Sequence, residues 1–163
     1  MEGVPVSTPE RPIVIIETDS GAIVTEFYPD VAPVTCDSIL SLVHQKFYDS
    51  LTFHRIIPGF VIQGGDPLGN GTGNPGFSLP AEFSSRLHVE GTLSMARGAH
   101  SIHSAGCQFF ICLGALQSLD NQYTIFGQVI EGIEVVRKLA AVPTGQMDRP
   151  VETLYIRRMY ENK

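Results

Sequence analysis

Glycine and proline cut this chain into short pieces, and that limits what it can build. There are 16 Gly and 11 Pro among 163 residues, a share above the roughly 12% of average proteins. Between them lie brief β-branched and aromatic runs: Ile13–Ile16, Ala22–Phe27, Phe53–Ile57, Phe60–Gln63, Thr92–Met95, Gln108–Cys112, Thr124–Val129 and Thr153–Met159. Runs of this length bounded by turn residues read as strands. Asp19-Ser20-Gly21 joins the first two as a hairpin. Only two segments keep a helical period. In 30–47, Cys36, Ile39, Leu40, Val43 and Phe47 form one apolar stripe behind Pro33, a residue suited to a first helical turn. In Ile133–Ala141, Ile133, Val136, Leu139 and Ala140 point inward and Pro143 ends the helix. Strands outnumber helices about eight to two, with no βαβ alternation. The expected fold is mainly β: a closed eight-stranded antiparallel β-barrel capped by two α-helices. Residues 1–11 read as a loose polar leader, and 12–163 as one domain.

Composition narrows the function classes. The net charge is −6, the wrong sign for a surface that displaces phosphate counterions, so no nucleic-acid partner is expected. The longest apolar run, Phe109–Leu116, spans eight residues, against about twenty for a membrane-spanning helix. The N-terminus has no basic and apolar signal pattern. Cys36, Cys107 and Cys112 are odd in number and match no disulfide framework, which predicts a reducing, cytoplasmic setting. A monomer is expected.

Three local patterns invite chemistry and fail on context. Gly71-Thr72-Gly73-Asn74-Pro75-Gly76 spells a dinucleotide motif, but Phe77-Ser78-Leu79-Pro80 cannot open the helix that would hold a pyrophosphate. It sits in a loop, 64–76, with six Gly and two Pro. His100, His103 and Cys107 could ligate a metal, yet the spacing matches no standard set, and a solvated loop is the simpler reading. Cys107 or Cys112 with a histidine could make a thiol nucleophile. Cys112 lies in an apolar strand, where a buried small hydrophobe is expected. No cofactor is expected.

The segment Phe53–Asp66 is the informative one. Arg55 lies inside an apolar strand, where alternation puts 53, 55 and 57 on one face. Gln63 adds an amide, and Phe60 and Val61 add apolar surface after the Pro58-Gly59 turn. Spacing alone leaves two readings: an outward arginine in a surface ion pair, or an apolar hollow with one guanidinium and one amide for a small ligand.

The motifs FHRIIPGFVIQGGD at 53–66, GTLSMAR at 91–97, SAGCQFFI at 104–111 and LDNQYTIFGQVIEGIEVV at 119–136 resemble blocks of the cyclophilin family, in family order. The resemblance covers roughly residues 12–160. It implies a peptidyl-prolyl cis–trans isomerase that assists protein folding, with proline-containing peptides and folding chains as partners. A catalytically weak proline-binding module or chaperone is the alternative. By resemblance, Arg55 falls on the catalytic arginine, and Phe60, Val61, Phe110 and Leu119 on the proline pocket. Gln63 matches the glutamine beside the arginine. Ala96, Arg97 and Gln108 fall on the groove wall, Gly71 on the neighbouring loop, and Tyr123 where many members have histidine. Ser118 stands where many eukaryotic members carry a cyclosporin-binding tryptophan, which implies weak cyclosporin binding. Arg97 replaces a common asparagine, and the 97–108 loop is longer than in short-loop members. These features resemble prokaryotic cyclophilins.

Overall fold

The computed structural model describes residues 11–163. Residues 1–10 of the expected 1–11 leader lie outside them. Arg11 is tied down by ion pairs to Glu26 at 3.4 Å and Asp30 at 3.6 Å.

Eight strands follow the turn punctuation: β1 Ile13–Thr18, β2 Gly21–Phe27, β3 Arg55–Ile57, β4 Val61–Gly64, β5 Thr92–Met95, β6 Phe109–Cys112, β7 Ile125–Glu131 and β8 Ile156–Asn162. They form one sheet in the order β3-β4-β6-β5-β7-β2-β1-β8. Every neighbouring pair is antiparallel. Two helices, α1 Pro33–His44 and α2 Ile133–Ala140, pack against it.

The sheet is an open half-barrel, not the closed barrel expected. β3 and β8 end the ladder and do not pair with each other. β3 is only three residues long, and the chain before it is irregular. That irregular chain crosses the gap with a few bonds. Ser50 N–H donates to Ile156 O at 2.8 Å, Ile156 N–H to Leu51 O at 2.7 Å, and Phe53 N–H to Leu154 O at 3.0 Å.

This stitching also turns Phe53 inward. Phe53 is buried in the core, its ring edge-on to Phe109 with centroids 6.3 Å apart. It therefore does not stand beside Arg55, as strict alternation from residue 53 predicts, because the strand begins only at Arg55.

The helix limits also differ from expectation. α1 starts with Pro33 and ends at His44, short of Phe47, because Lys46 takes a left-handed conformation (φ 62°). Its inward residues are Thr35, Cys36, Ile39, Leu42 and Val43. No local side chain caps its first turn. Glu82, far along the chain, accepts from Val34 N–H at 3.1 Å and Thr35 N–H at 2.7 Å, where a carboxylate is favoured by the helix dipole. β8 lies three residues later than the apolar pattern suggests. A register shift at Glu17/Thr18 leaves Arg157 and Arg158 exposed together between buried Ile156 and Met159, which breaks the alternation.

Register then sorts the side chains into two rows. Ile56, Ile62, Ile111 and Leu93 are successive cross-strand partners, all buried in the core. One residue along, Arg55, Gln63, Phe110 and Ser94 are partners too, and they point to the other face. A second apolar cluster forms on that outer face from Val61, Phe110 and Cys112, with Phe60, Ala96, Leu116, Leu119 and Tyr123 around it.

Candidate active site

The outer row becomes a site because three loops wall it in. Phe60 follows the tight Pro58-Gly59 turn, its N–H donating to Ile57 O at 2.9 Å. Leu119 ends a single 3-10 turn, Gln117–Leu119, whose Ser118 is exposed. Tyr123 stands edge-on to Phe110 at 5.7 Å, and Arg97 lies over the Tyr123 ring at 4.6 Å. Together Arg55, Phe60, Val61, Gln63, Ala96, Arg97, Phe110, Leu119 and Tyr123 line a hollow of about 140 Å³. Nine of the eleven residues singled out from sequence thus meet in one place. The other two, Gly71 and Gln108, line an adjoining recess of about 540 Å³ that shares Gln63, Ala96 and Arg97 with the hollow.

Arg55 is exposed at the mouth of the hollow. Its one side-chain bond among the described residues is from Nη1 to Gln63 Oε1, a long 3.3 Å. Gln63 Nε2 donates onward to Gln108 Oε1 at 3.0 Å. Gln108 Nε2 donates to the carbonyls of Gly71 and Gly73 at 3.1 and 3.0 Å. Each amide thus accepts on one side and donates on the other, which fixes its orientation. The chain of bonds ends in the glycine-rich loop, and Asp66 holds that loop. Its carboxylate accepts from the N–H groups of Leu68, Asn70 and Gly71. Burial raises the Asp66 pKa, but the backbone N–H bonds outweigh it and hold the carboxyl below its ordinary value. Two glycines make this geometry possible. Gly71 has φ +90°, and a Cβ at Gly73 would collide with Asp66 Oδ1.

The floor was not legible in sequence. His88 is buried beneath Phe110, its ring stacked at 6.2 Å and 16°. Nδ1 meets Asp120 Oδ1 at 3.0 Å and Nε2 meets Ser94 Oγ at 2.9 Å. Asp120 also accepts from the His88 backbone N–H at 2.7 Å. Burial pushes the His88 pKa down, and Asp120 offsets part of that. Neither residue has a spacing signal. Asp66 did carry one, since Asp-Pro before a glycine-rich stretch marks a side-chain-capped turn.

The patterns around His100 and Cys107 border the recess, not the hollow. His103 Nδ1 accepts from Ala81 N–H at 3.0 Å. Cys107 is buried, and its carbonyl accepts from Tyr48 O–H at 2.8 Å. Among the described residues, no three His, Cys, Asp or Glu side chains gather to hold a metal. Burial pushes the Cys107 and Cys112 thiols up to about 12, far from the thiolate that a nucleophile needs. No helix of the described residues is long and apolar enough to cross a membrane.

The comparisons with known proteins agree with one another. The family described as "Cyclophilin type peptidyl-prolyl cis-trans isomerase/CLD" matches residues 13–161. A peptidyl-prolyl cis-trans isomerase of Synechococcus elongatus is 46% identical over 77% of this chain and 86% of its own. The mouse peptidyl-prolyl cis-trans isomerase-like 1 is 39% identical over 98% of both chains. The relatives thus include bacterial and eukaryotic proteins. A cyclophilin type isomerase from Cryptosporidium parvum superimposes with a TM-score of 0.90 at 32% identity, covering 94% of this chain and 98% of its own. The same protein, solved in the presence of the dipeptide Ala-Pro, gives a TM-score of 0.88 at 31% identity, covering 93% of this chain and 99% of its own. On this sequence match, this fold and these relatives, the chain belongs to the cyclophilin-type peptidyl-prolyl cis–trans isomerases.

Proposed function

We propose that this isomerase turns X-Pro bonds without covalent chemistry, using Arg55 as a donor above an apolar proline socket. A peptide bond resists rotation by about 18–20 kcal/mol because the nitrogen lone pair is delocalised. Unaided X-Pro exchange takes roughly tens to hundreds of seconds. In the twisted transition state the lone pair returns to the nitrogen, which becomes a hydrogen-bond acceptor. A donor that binds this form better than the planar amide lowers the barrier. Lowering it by about 7 kcal/mol gives roughly a 10⁵-fold gain.

The observation that carries this reading is the single long bond on Arg55. Gln63 steadies the guanidinium, and its remaining N–H groups are open to a ligand in the hollow. A fixed, planar donor costs little reorganisation when charge shifts in the substrate. Phe60, Val61, Phe110 and Leu119 would hold the pyrrolidine ring and exclude water. Gly71, Ala96, Arg97, Gln108 and Tyr123 would line the path of the flanking peptide. The Ala-Pro dipeptide present with the Cryptosporidium relative supports proline-containing peptides, and hence folding chains, as substrates. No proton transfer and no cofactor enter this mechanism. The three cysteines are free and buried, which fits a reducing, cytoplasmic setting.

Ser118 bears on drug binding. It is an exposed hydroxyl on the rim, where many eukaryotic members place an indole. We expect cyclosporin to lose apolar contact there while the proline socket stays intact.

In a peptide exchange assay read by NMR, Arg55→Ala lowers turnover by about tenfold or more while the fold persists. Arg55→Lys is also poor, because a point charge cannot reproduce the flat fork. Normal turnover by a folded Arg55→Ala would remove Arg55 from the mechanism, and peptide binding without faster exchange in the unaltered protein would select the binding-module alternative.

Acidification separates turnover from stability. Turnover stays level from about pH 6 to 9 while the fold persists, since the mechanism moves no proton. Stability behaves otherwise. Burial lowers the pKa of both His88 and His54 in the fold. The unfolded chain therefore takes up these protons first as pH falls below about 6.5. Their contribution is complete above that pH and is lost on descent toward the depressed folded values. The thermal midpoint should fall from about pH 7 to 5, less steeply in His88→Gln. A bell-shaped turnover profile would contradict the mechanism.

Cyclosporin titration should give micromolar or weaker binding. Nanomolar binding would refute the assignment of Ser118.

A further inference from the structure

The chain carries an excess of acid, yet its groove holds unpaired base. The net charge is −6. Arg11, Arg137, Arg157 and Arg158 each have a carboxylate partner. Among the described residues, Arg55, Arg86, Arg97 and Arg149 have none within ion-pair distance, and of these Arg55 and Arg97 line the groove. Arg97 gives its N–H groups to the carbonyls of Gln122 and Gly98 instead. Carbonyls orient the guanidinium but leave its charge uncompensated.

The two cavities extend this pattern. The hollow and the recess meet along Gln63, Ala96 and Arg97. His100 lies on the recess wall, exposed. Among the described residues, no Asp or Glu lines either cavity. The nearby acids are committed elsewhere. Asp66 is enclosed by backbone N–H groups, Asp120 holds His88, and Glu82 caps α1. An anion in the recess would therefore meet Arg97, His100 and the field of Arg55, with no opposing carboxylate on the walls.

We infer that the recess selects substrates carrying an anionic side chain a few residues from the proline. This rests on the isomerase reading above and adds a preference to it. A proline seated in the hollow places its chain neighbours over the shared wall, and successive residues of an extended chain advance about 3.3–3.6 Å each. A side chain from one of them can enter the recess while the ring stays in its socket. The interaction is solvent-facing, so its size is modest, about fivefold in kcat/KM, and it is sensitive to salt.

The test compares proline peptides that differ at one position. Glu, phosphoserine, Gln or Lys is placed in turn at each of three positions on either side of proline, and kcat/KM is read by NMR exchange. The expected result is an order of anion, then Gln, then Lys at one or two positions on one side. The Glu-to-Gln ratio should be about fivefold at low salt and approach one near 1 M salt, where the Debye length is roughly 3 Å. A larger gain for phosphoserine than for Glu identifies a phosphorylated side chain as the better occupant. In His100→Glu the Glu-to-Gln ratio should fall to one or below. His100 sits in an exposed loop, and the variant's fold is checked by its circular dichroism. Equal turnover of all peptides, a preference for Lys, or an unchanged ratio in folded His100→Glu would overturn the inference. Failure of the unaltered protein to accelerate any peptide would instead overturn the catalytic reading.

Discussion

The site depends on one cross-strand row. Arg55 faces Gln63, Gln63 faces Phe110, and Phe110 faces Ser94. One residue away, Ile56, Ile62, Ile111 and Leu93 fill the core. Because side chains alternate with period two, burying the isoleucine row forces the other row outward. A slip of one residue would put a guanidinium into the core and an isoleucine into the groove. The hydrophobic effect that folds the sheet therefore also aims the donor. Placement of Arg55 needs no separate device.

Aim is not yet orientation. An arginine at a strand end has many rotamers, and ordering such a side chain costs up to about 2 kcal/mol. The amides of Gln63 and Gln108 narrow that choice before a substrate arrives. Their far anchor is the loop held by Asp66, where Gly71 and Gly73 allow the chain to wrap a carboxylate. Beneath the row, His88 braces Phe110 through Asp120 and Ser94. The glycine-rich stretch that mimics a nucleotide loop by letter is thus a support for the amides behind Arg55. Three of its N–H groups are already taken: Gly71 donates to the Asp66 carboxylate, Thr72 to Asn70 Oδ1 and Gly76 to Asn74 Oδ1.

Local patterns in the sequence carried much of this, and long-range pairings carried the rest. All eight strands and both helices stand within a few residues of where turn residues and periodicity place them. Closure failed as an expectation because it depends on whether β3 meets β8, and neither run records its partner. Phe53 failed for a related reason: bonds to 154–156, a hundred residues away, override its alternation with Arg55. Glu82 capping α1 and Asp120 holding His88 are likewise contacts between distant positions with no spacing to betray them. Arg55 and Gln63 stood out because a charge and an amide interrupt apolar runs, and Phe60 because it follows the Pro58-Gly59 turn. The roles of Phe110, Leu119 and Tyr123 came from family resemblance, since an aromatic in a strand reads as core until its face is known.

If the donor is aimed by the sheet and steadied by the amides, then Gln63 and Gln108 act on Arg55 as one unit. A double-mutant cycle measures this directly. Gln63→Ala, Gln108→Ala and the double variant are compared by kcat/KM on one proline peptide, with folding checked for each. The bonding predicts coupling: the double variant loses markedly less than the product of the single losses, by about 0.5 kcal/mol or more. Independent losses that multiply, in three folded variants, would contradict it.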